Sequence, residues 1–174
     1  VKLVQLAKVL NENLGFKQVK VIDIGGGLPA NYRTNENFEK NLSFSDYAGS
    51  LKSAVPELFS GEYQVVTEFG RSLIVKSGVT LSSIESTKVS GRVKTAVLHT
   101  GANQFLRTAY RPNEWFHRLT AYDSKGEAKL SSESDMVPHN ILGPLCFSGD
   151  RLASSIQLPD LERGDIICIH DTGG

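Results

Sequence analysis

Three glycines in a row, Gly25-Gly26-Gly27, directly follow the apolar run Val19-Lys20-Val21-Ile22-Asp23-Ile24. A strand ending in such a turn offers unhindered backbone N–H groups in a concave loop, and a phosphate can approach because no Cβ is in the way. The same glycines would equally serve a turn that merely needs positive φ. A second strand-like run, Tyr63-Gln64-Val65-Val66-Thr67-Glu68, stops at Phe69-Gly70-Arg71. If the two strands are neighbours in a parallel barrel, the glycine loop, Glu68 and Arg71 share its C-terminal face. An isolated Glu-x-x-Arg is otherwise a surface ion pair or the start of a helix.

Two further clusters follow. His99 to Arg107 runs into Tyr110, Arg111, Pro112, Trp115 and His117. Guanidinium groups hold carboxylates bidentately and a nearby phenol can orient one, while a turn with a surface cation–π cluster is the plainer reading. Gly143-Pro144-Leu145-Cys146-Phe147-Ser148-Gly149-Asp150 presents a lone thiol in a tight loop. A thiol can shuttle a proton or simply be a small buried hydrophobe, and Cys168 within Ile166-Ile167-Cys168-Ile169 suits the second role.

The elements that must carry these groups change character along the chain. Leu3, Leu6, Val9, Leu10 and Leu14 recur at helical spacing opposite Lys2, Lys8, Asn11 and Glu12, with Gly15 as a C-cap. Helix, strand and glycine loop in that order predict a βα unit. Residues 30–42 read as a polar loop, and 43–59 as a helix with Phe44, Tyr47, Leu51, Val55 and Leu58 inward. Beyond Ser77 the texture becomes alternating and β-branched over Val79 to Val89, Val93 to His99, His117 to Tyr122 and Asp165 to His170. The expectation is an α/β part over 1–75 and an all-β part over 76–174.

Composition excludes several classes. Nineteen basic residues balance nineteen acidic ones in 174, so neither nucleic acid nor an anionic membrane surface is an expected partner. No apolar run approaches the roughly 20 residues that span a bilayer. Two cysteines without metal-site spacing suit a reducing, cytoplasmic compartment, and no metal is expected. The chain begins at Val1 and stops just after a strand-like run, which reads as a piece of something longer, so organellar targeting stays open.

Taken in order, Ile22 to Pro29, Glu68 to Arg71, Gly101-Ala102-Asn103 to Arg107, Gly143 to Asp150 and Gly164 to Gly174 resemble the pyridoxal-phosphate-dependent decarboxylases of the ornithine and diaminopimelate type. The resemblance runs through almost the whole chain. It implies that residues 1–75 are the last part of a (β/α)8 barrel and 76–174 most of a C-terminal β-domain. It also implies pyridoxal 5'-phosphate as cofactor, with Gly25, Gly26 and Gly27 at its phosphate and Glu68 at its pyridine nitrogen. Arg71 would lie near the phosphate and, with Arg107 and Tyr110, near a distal carboxylate of the substrate. Cys146 would donate a proton in the active site of a partner subunit, so a homodimer with shared sites is implied.

Three departures narrow this. Phe69 stands where the family's Glu-Pro-Gly-Arg motif has proline, and Phe147 where diaminopimelate decarboxylases carry a glutamate that reads the far end of the substrate. The family's Arg-Pro-x-x-Tyr segment is here Arg107-Thr108-Ala109-Tyr110-Arg111-Pro112. The expected activity is decarboxylation of a basic or diamino amino acid by the full-length parent, an enzyme of lysine biosynthesis or polyamine metabolism. The Schiff-base lysine would lie outside the chain, leaving these 174 residues alone inactive. The competing expectations are a non-catalytic regulatory homologue that binds protein, and a decarboxylase of a carboxylated polyamine precursor.

Overall fold

A computed structural model of the chain describes residues 1–38, 43–91, 93–130 and 132–174. They divide into two compact units, residues 1–31 with 35–75 and 174, and residues 32–34 with 76–173.

In the first unit, α1 (Lys2–Leu14) ends at Gly15, whose φ of 69° is the left-handed cap that glycine adopts without cost. The helix does not bury its leucine stripe. Val4 and Ala7 are buried, whereas Leu3, Leu6, Val9, Leu10 and Leu14 are exposed. The inner side is pinned instead by polar groups: Lys8 Nζ pairs with Glu57, and the Asn11 amide answers both the N–H and the carbonyl of Val19. The short strand β1 (Val21–Asp23) leads to a polar stretch whose residues 39–42 lie outside the described ones. Then α2 (Phe44–Ala54) opens on a capping box, in which Ser43 and Asp46 each accept the other's backbone N–H.

The helix expected over 43–59 is two pieces. Pro56 forbids the helical conformation to Val55 and heads a separate 3₁₀ turn, Pro56–Phe59. Nor does α2 bury the residues its spacing suggested: Phe44 and Tyr47 pack ring against ring on Phe69, and burial is confined to Val55 and Leu58 beyond the helix. The strand β2 (Gln64–Val66) pairs in parallel with β1, and α3 (Arg71–Ile74) follows. Val4, Ala7, Ile22, Val55, Leu58 and Tyr63 form the core of this unit.

The second unit contains β3 (Thr80–Ser90), β4 (Val93–Leu98), α4 (Leu106–Tyr110), β5 (Leu119–Tyr122), β6 (Val137–Leu142), β7 (Arg151–Leu158) and β8 (Ile166–Ile169). The strands form one mixed sheet in the order β5-β8-β3-β4-β6-β7, with β4 and β6 parallel and the other neighbours antiparallel. The sheet curls because β3 pairs with β8 along its first half and with β4 along its second, and a register shift between Ile84 and Ser86 bends it. Ile84, Leu98, Ile141, Ile167 and Ile169 fill the inside, each at 1% exposure or less.

Periodicity revealed neither β6 nor β7. Pro138 interrupts the first, yet the structure accommodates it because pairing with β4 begins only at His139. Ser154-Ser155 interrupts the second, where Ser155 takes a φ of 50° and donates its N–H to Asn140 Oδ1. Among the described residues no helix is long and apolar enough to cross a membrane.

Candidate functional site

In the first unit the parallel register Val21↔Gln64, Ile22↔Val65, Asp23↔Val66 sends the chain out of both strands at the same edge. The loop after β1 and the turn after β2 are tied together there. Ile24 N–H donates to the Val66 carbonyl at 3.0 Å, and Glu68 N–H donates to the Gly25 carbonyl at 2.8 Å. Gly25 and Gly27 have φ values of 72° and 97°, so a side chain at either would strain the loop. Gly26 is needed for another reason: a Cβ there would come within 2.4 Å of the Glu68 carbonyl oxygen. Gly26 and Gly27 are exposed, and the space beside Gly25 and Gly27 is open. These glycines therefore meet the turn requirement and leave an open surface at one edge with the exposed Glu68, the Gly25 N–H itself being donated to Asp23 Oδ1 at 2.8 Å. That surface fits a phosphate, and the neighbouring carboxylate fits a cationic ring nitrogen.

Arg71 opens α3 at that edge. The turn before it is held by Gly70 N–H donating to the Glu68 carbonyl at 2.9 Å and by Phe69, whose ring meets Tyr47 edge-on at 5.1 Å. Packing of Phe69 thus fixes a turn that a proline would fix through its ring.

In the second unit α4 carries Arg107 and Tyr110 one turn apart, both exposed. The Arg107 guanidinium lies 4.4 Å from the centre of the Trp115 ring. Trp115 in turn meets Tyr32 at 5.0 Å, and His117 packs against Tyr32 and Phe105. Burial pushes the His117 imidazole below its ordinary pKa, against the pull of the His170 carbonyl and Asp171. A cavity of about 640 Å³ opens beside α4, with Thr108, Pro112, Trp115, His117, Arg151 and Ser154 among its walls. The exposed Arg107 guanidinium thus stacks on a cluster of aromatic rings.

Cys146 is an exposed free thiol and Cys168 a buried one, its pKa raised by desolvation. The Cys146 loop folds on itself through Phe147 N–H to Leu145 O at 2.9 Å and Asp150 N–H to Phe147 O at 3.1 Å. Its anchor is a residue to which sequence reasoning assigned no role. Asp150, buried to 3% exposure, accepts the N–H of Ala102 on one carboxylate oxygen and that of Leu145 on the other. The signal available in the sequence was the pair Gly101 and Gly143, since a Cβ at either would collide with this carboxylate. The turn leading to Arg107 and the loop carrying Cys146 are brought together in this way. Among the described residues no three His, Cys, Asp or Glu side chains cluster as a metal site.

The family model described as "Pyridoxal-dependent decarboxylase, C-terminal sheet domain" matches residues 17–173. The diaminopimelate decarboxylase of Helicobacter pylori is 30% identical over 173 residues, covering 99% of this chain and 38% of that protein. A crystal structure of the Helicobacter pylori enzyme complexed with L-lysine superposes with a TM-score of 0.73 at 26% identity, over 97% of this chain and 38% of the other. The lysine/ornithine decarboxylase of Vibrio vulnificus complexed with putrescine, 22% identical, shares the fold with a TM-score of 0.71 over 95% of this chain and 41% of its own. The chain thus spans less than half the length of these relatives.

Proposed function

Because the chain belongs to the pyridoxal-dependent decarboxylase family, matched through its C-terminal sheet domain, we propose that the whole protein removes a carboxyl group from a diamino acid using pyridoxal 5'-phosphate. The observation that carries the proposal is the shared edge of β1 and β2, where the glycine loop and Glu68 emerge hydrogen-bonded to each other. We further read residues 1–75 as the closing part of a (β/α)8 barrel and 76–174 as most of a β-domain. The parallel β1–β2 pair and the exposed leucine stripe of α1 support that division, the stripe being suited to packing under further barrel elements.

The cofactor, when bound, supplies a ring that accepts the electron pair left as the C–C bond to the carboxyl group breaks. The residues of this chain do the rest. Gly26 and Gly27 present backbone N–H groups to the phosphate and no Cβ keeps it away, while Gly25, whose own N–H is donated to Asp23 Oδ1 at 2.8 Å, shapes the turn beside it. Glu68 accepts the ring N–H and, by its charge, keeps that nitrogen protonated. Arg71 and Arg107 hold carboxylates through paired N–H donors, Trp115 keeps the Arg107 fork oriented, and Tyr110 adds a phenol on the same helix. Cys146, exposed at the tip of its loop, reaches a second subunit and gives its proton to the carbon that lost the carboxyl group.

The substrate favoured is diaminopimelate or a close relative, because the Arg107 guanidinium with the Tyr110 phenol on the same helix suits a substrate with a second carboxylate. Phe147, half exposed at the position of the family's glutamate, favours a second reading in which the far end is less polar, as in a carboxylated polyamine precursor. The site would be cytoplasmic, in keeping with two unpaired cysteines. Carbon dioxide release by the full-length protein across diaminopimelate, lysine, ornithine, arginine and a carboxylated polyamine is the test. Release from one of the first four supports the diamino-acid reading, and release from the last alone supports the second. No release and no bound cofactor would leave a protein-binding homologue.

A further inference from the structure

The two oxygens of the Asp150 carboxylate serve two different loops. Oδ1 accepts the Ala102 N–H at 2.6 Å and Oδ2 accepts the Leu145 N–H at 2.7 Å. Both loops are shaped to admit it: an added Cβ would lie 2.3 Å from Oδ1 at Gly101 and 2.2 Å at Gly143. A buried carboxylate held by backbone N–H groups is a strong and directional anchor; without it the Ala102 N–H loses its partner in a dry place, and the part-buried Leu145 N–H loses the group that fixes it.

What the anchor holds is chemically specific. Leu145 immediately precedes Cys146, so the thiol hangs one residue beyond the clamped N–H. Ala102 lies in the turn where the Gln104 and Phe105 N–H groups donate to the Gly101 carbonyl, and that turn starts the helix of Arg107. The Asp150 backbone closes the loop from the other side, its carbonyl accepting the Gly143 N–H at 3.0 Å.

We infer that Asp150 is a positioning residue that sets where the Cys146 thiol stands, through the Leu145 N–H and against the turn that carries Arg107. The inference rests on the reading of Cys146 as proton donor. In that step the C–C bond to the carboxylate breaks, carbon dioxide leaves, the Cys146 S–H proton goes to the vacated carbon, and water reprotonates the thiolate. A thiol held in place delivers this proton to one face of the carbon. A thiol on a loosened loop shares the task with water.

The test uses the full-length protein. Asp150→Asn keeps the shape but turns an NH2 group toward one of the two N–H donors. Its kcat should fall by about tenfold or more, with KM changed by less than about threefold. In D2O the deuterium at the carbon that lost its carboxyl group should pass from one configuration to a mixture. In the cofactor-free protein the rate of Cys146 alkylation by iodoacetamide, mapped by peptide mass, should change by about threefold or more. The double variant Cys146→Ala/Asp150→Asn should be no slower than Cys146→Ala, because one residue acts through the other. If Asp150→Asn does not fold, Gly143→Ala displaces the carboxylate without removing it and is read in the same ways. Losses that multiply in the double variant, with alkylation and deuterium configuration unchanged, would overturn the inference while leaving Cys146 as donor. Full activity with one configuration in Cys146→Ala would remove the donor and the inference together.

Discussion

Gly26 meets the backbone of Glu68 so closely that a Cβ on it would stand 2.4 Å from the Glu68 carbonyl oxygen. With Glu68 N–H bound to the Gly25 carbonyl at 2.8 Å, the glycine loop and the carboxylate form one rigid edge rather than two neighbouring motifs. Gly26→Ala must part them. Overpacking of this kind costs about 1–3 kcal/mol, and affinity of the full-length protein for pyridoxal 5'-phosphate should fall by about tenfold or more. A fluorescence titration checks this, and unchanged affinity would separate the close approach from cofactor binding.

Trp115→Ala should leave Arg107 charged but poorly oriented. Stacking of the exposed guanidinium at 4.4 Å is worth about 0.5–1 kcal/mol, so KM for a dicarboxylic diamino acid should rise by roughly twofold to fivefold with a smaller change in kcat. Steady-state kinetics of the full-length variant decide it, and a loss confined to kcat would place Trp115 elsewhere in the mechanism.

Phe147→Glu would place beside Cys146 the acid that the family resemblance leads one to expect there. The Phe147 ring packs over Gly149, where an added Cβ would come within 2.5 Å of it, so the exchange also removes that packing. The ratio of kcat/KM for diaminopimelate to that for lysine should increase by about tenfold. An unchanged ratio in competition assays would show that position 147 does not read the far end of the substrate.

Acid should destabilise the second unit. Burial holds His117, His139 and His170 below the ordinary imidazole value of 6.5. At His139 burial outweighs the Val137 carbonyl, which lies 2.9 Å from Nδ1 and favours the protonated ring, and Nε2 is buried without a hydrogen-bond partner among the described residues. The unfolded chain takes up these protons first as pH falls through about 6.5, so the stabilisation present above that value is lost below it. The urea midpoint should be lower at about pH 5.5 than at about pH 7.5, and His139→Phe should flatten the difference. A midpoint that held or rose on acidification would contradict this.

Much of the candidate site was legible because it is written in local chemistry. Positive φ at Gly25 and Gly27 and the glycine stop of α1 each depend on residues within a few positions of one another. Legibility failed where distant contacts decide. The leucines of α1 carry the apolar periodicity, yet Lys8 and Asn11 find partners at Glu57 and Val19 and turn that side inward. Strand β6 was hidden by Pro138, which stands opposite Gln157 of β7 and precedes the pairing with β4 that starts at His139, a fact of register and not of sequence. Asp150 was visible as the end of a motif, but its two partners lie 48 and 5 residues away, and no spacing rule links them.

The central claim, that Glu68 at the edge of β1 and β2 supports decarboxylation on pyridoxal 5'-phosphate, is tested most directly by Glu68→Gln in the full-length protein. Carbon dioxide release from the accepted diamino acid should fall by about a hundredfold or more, with the cofactor still bound, because the amide cannot hold the ring nitrogen protonated. Release at the unchanged rate from the cofactor-loaded variant would contradict the account.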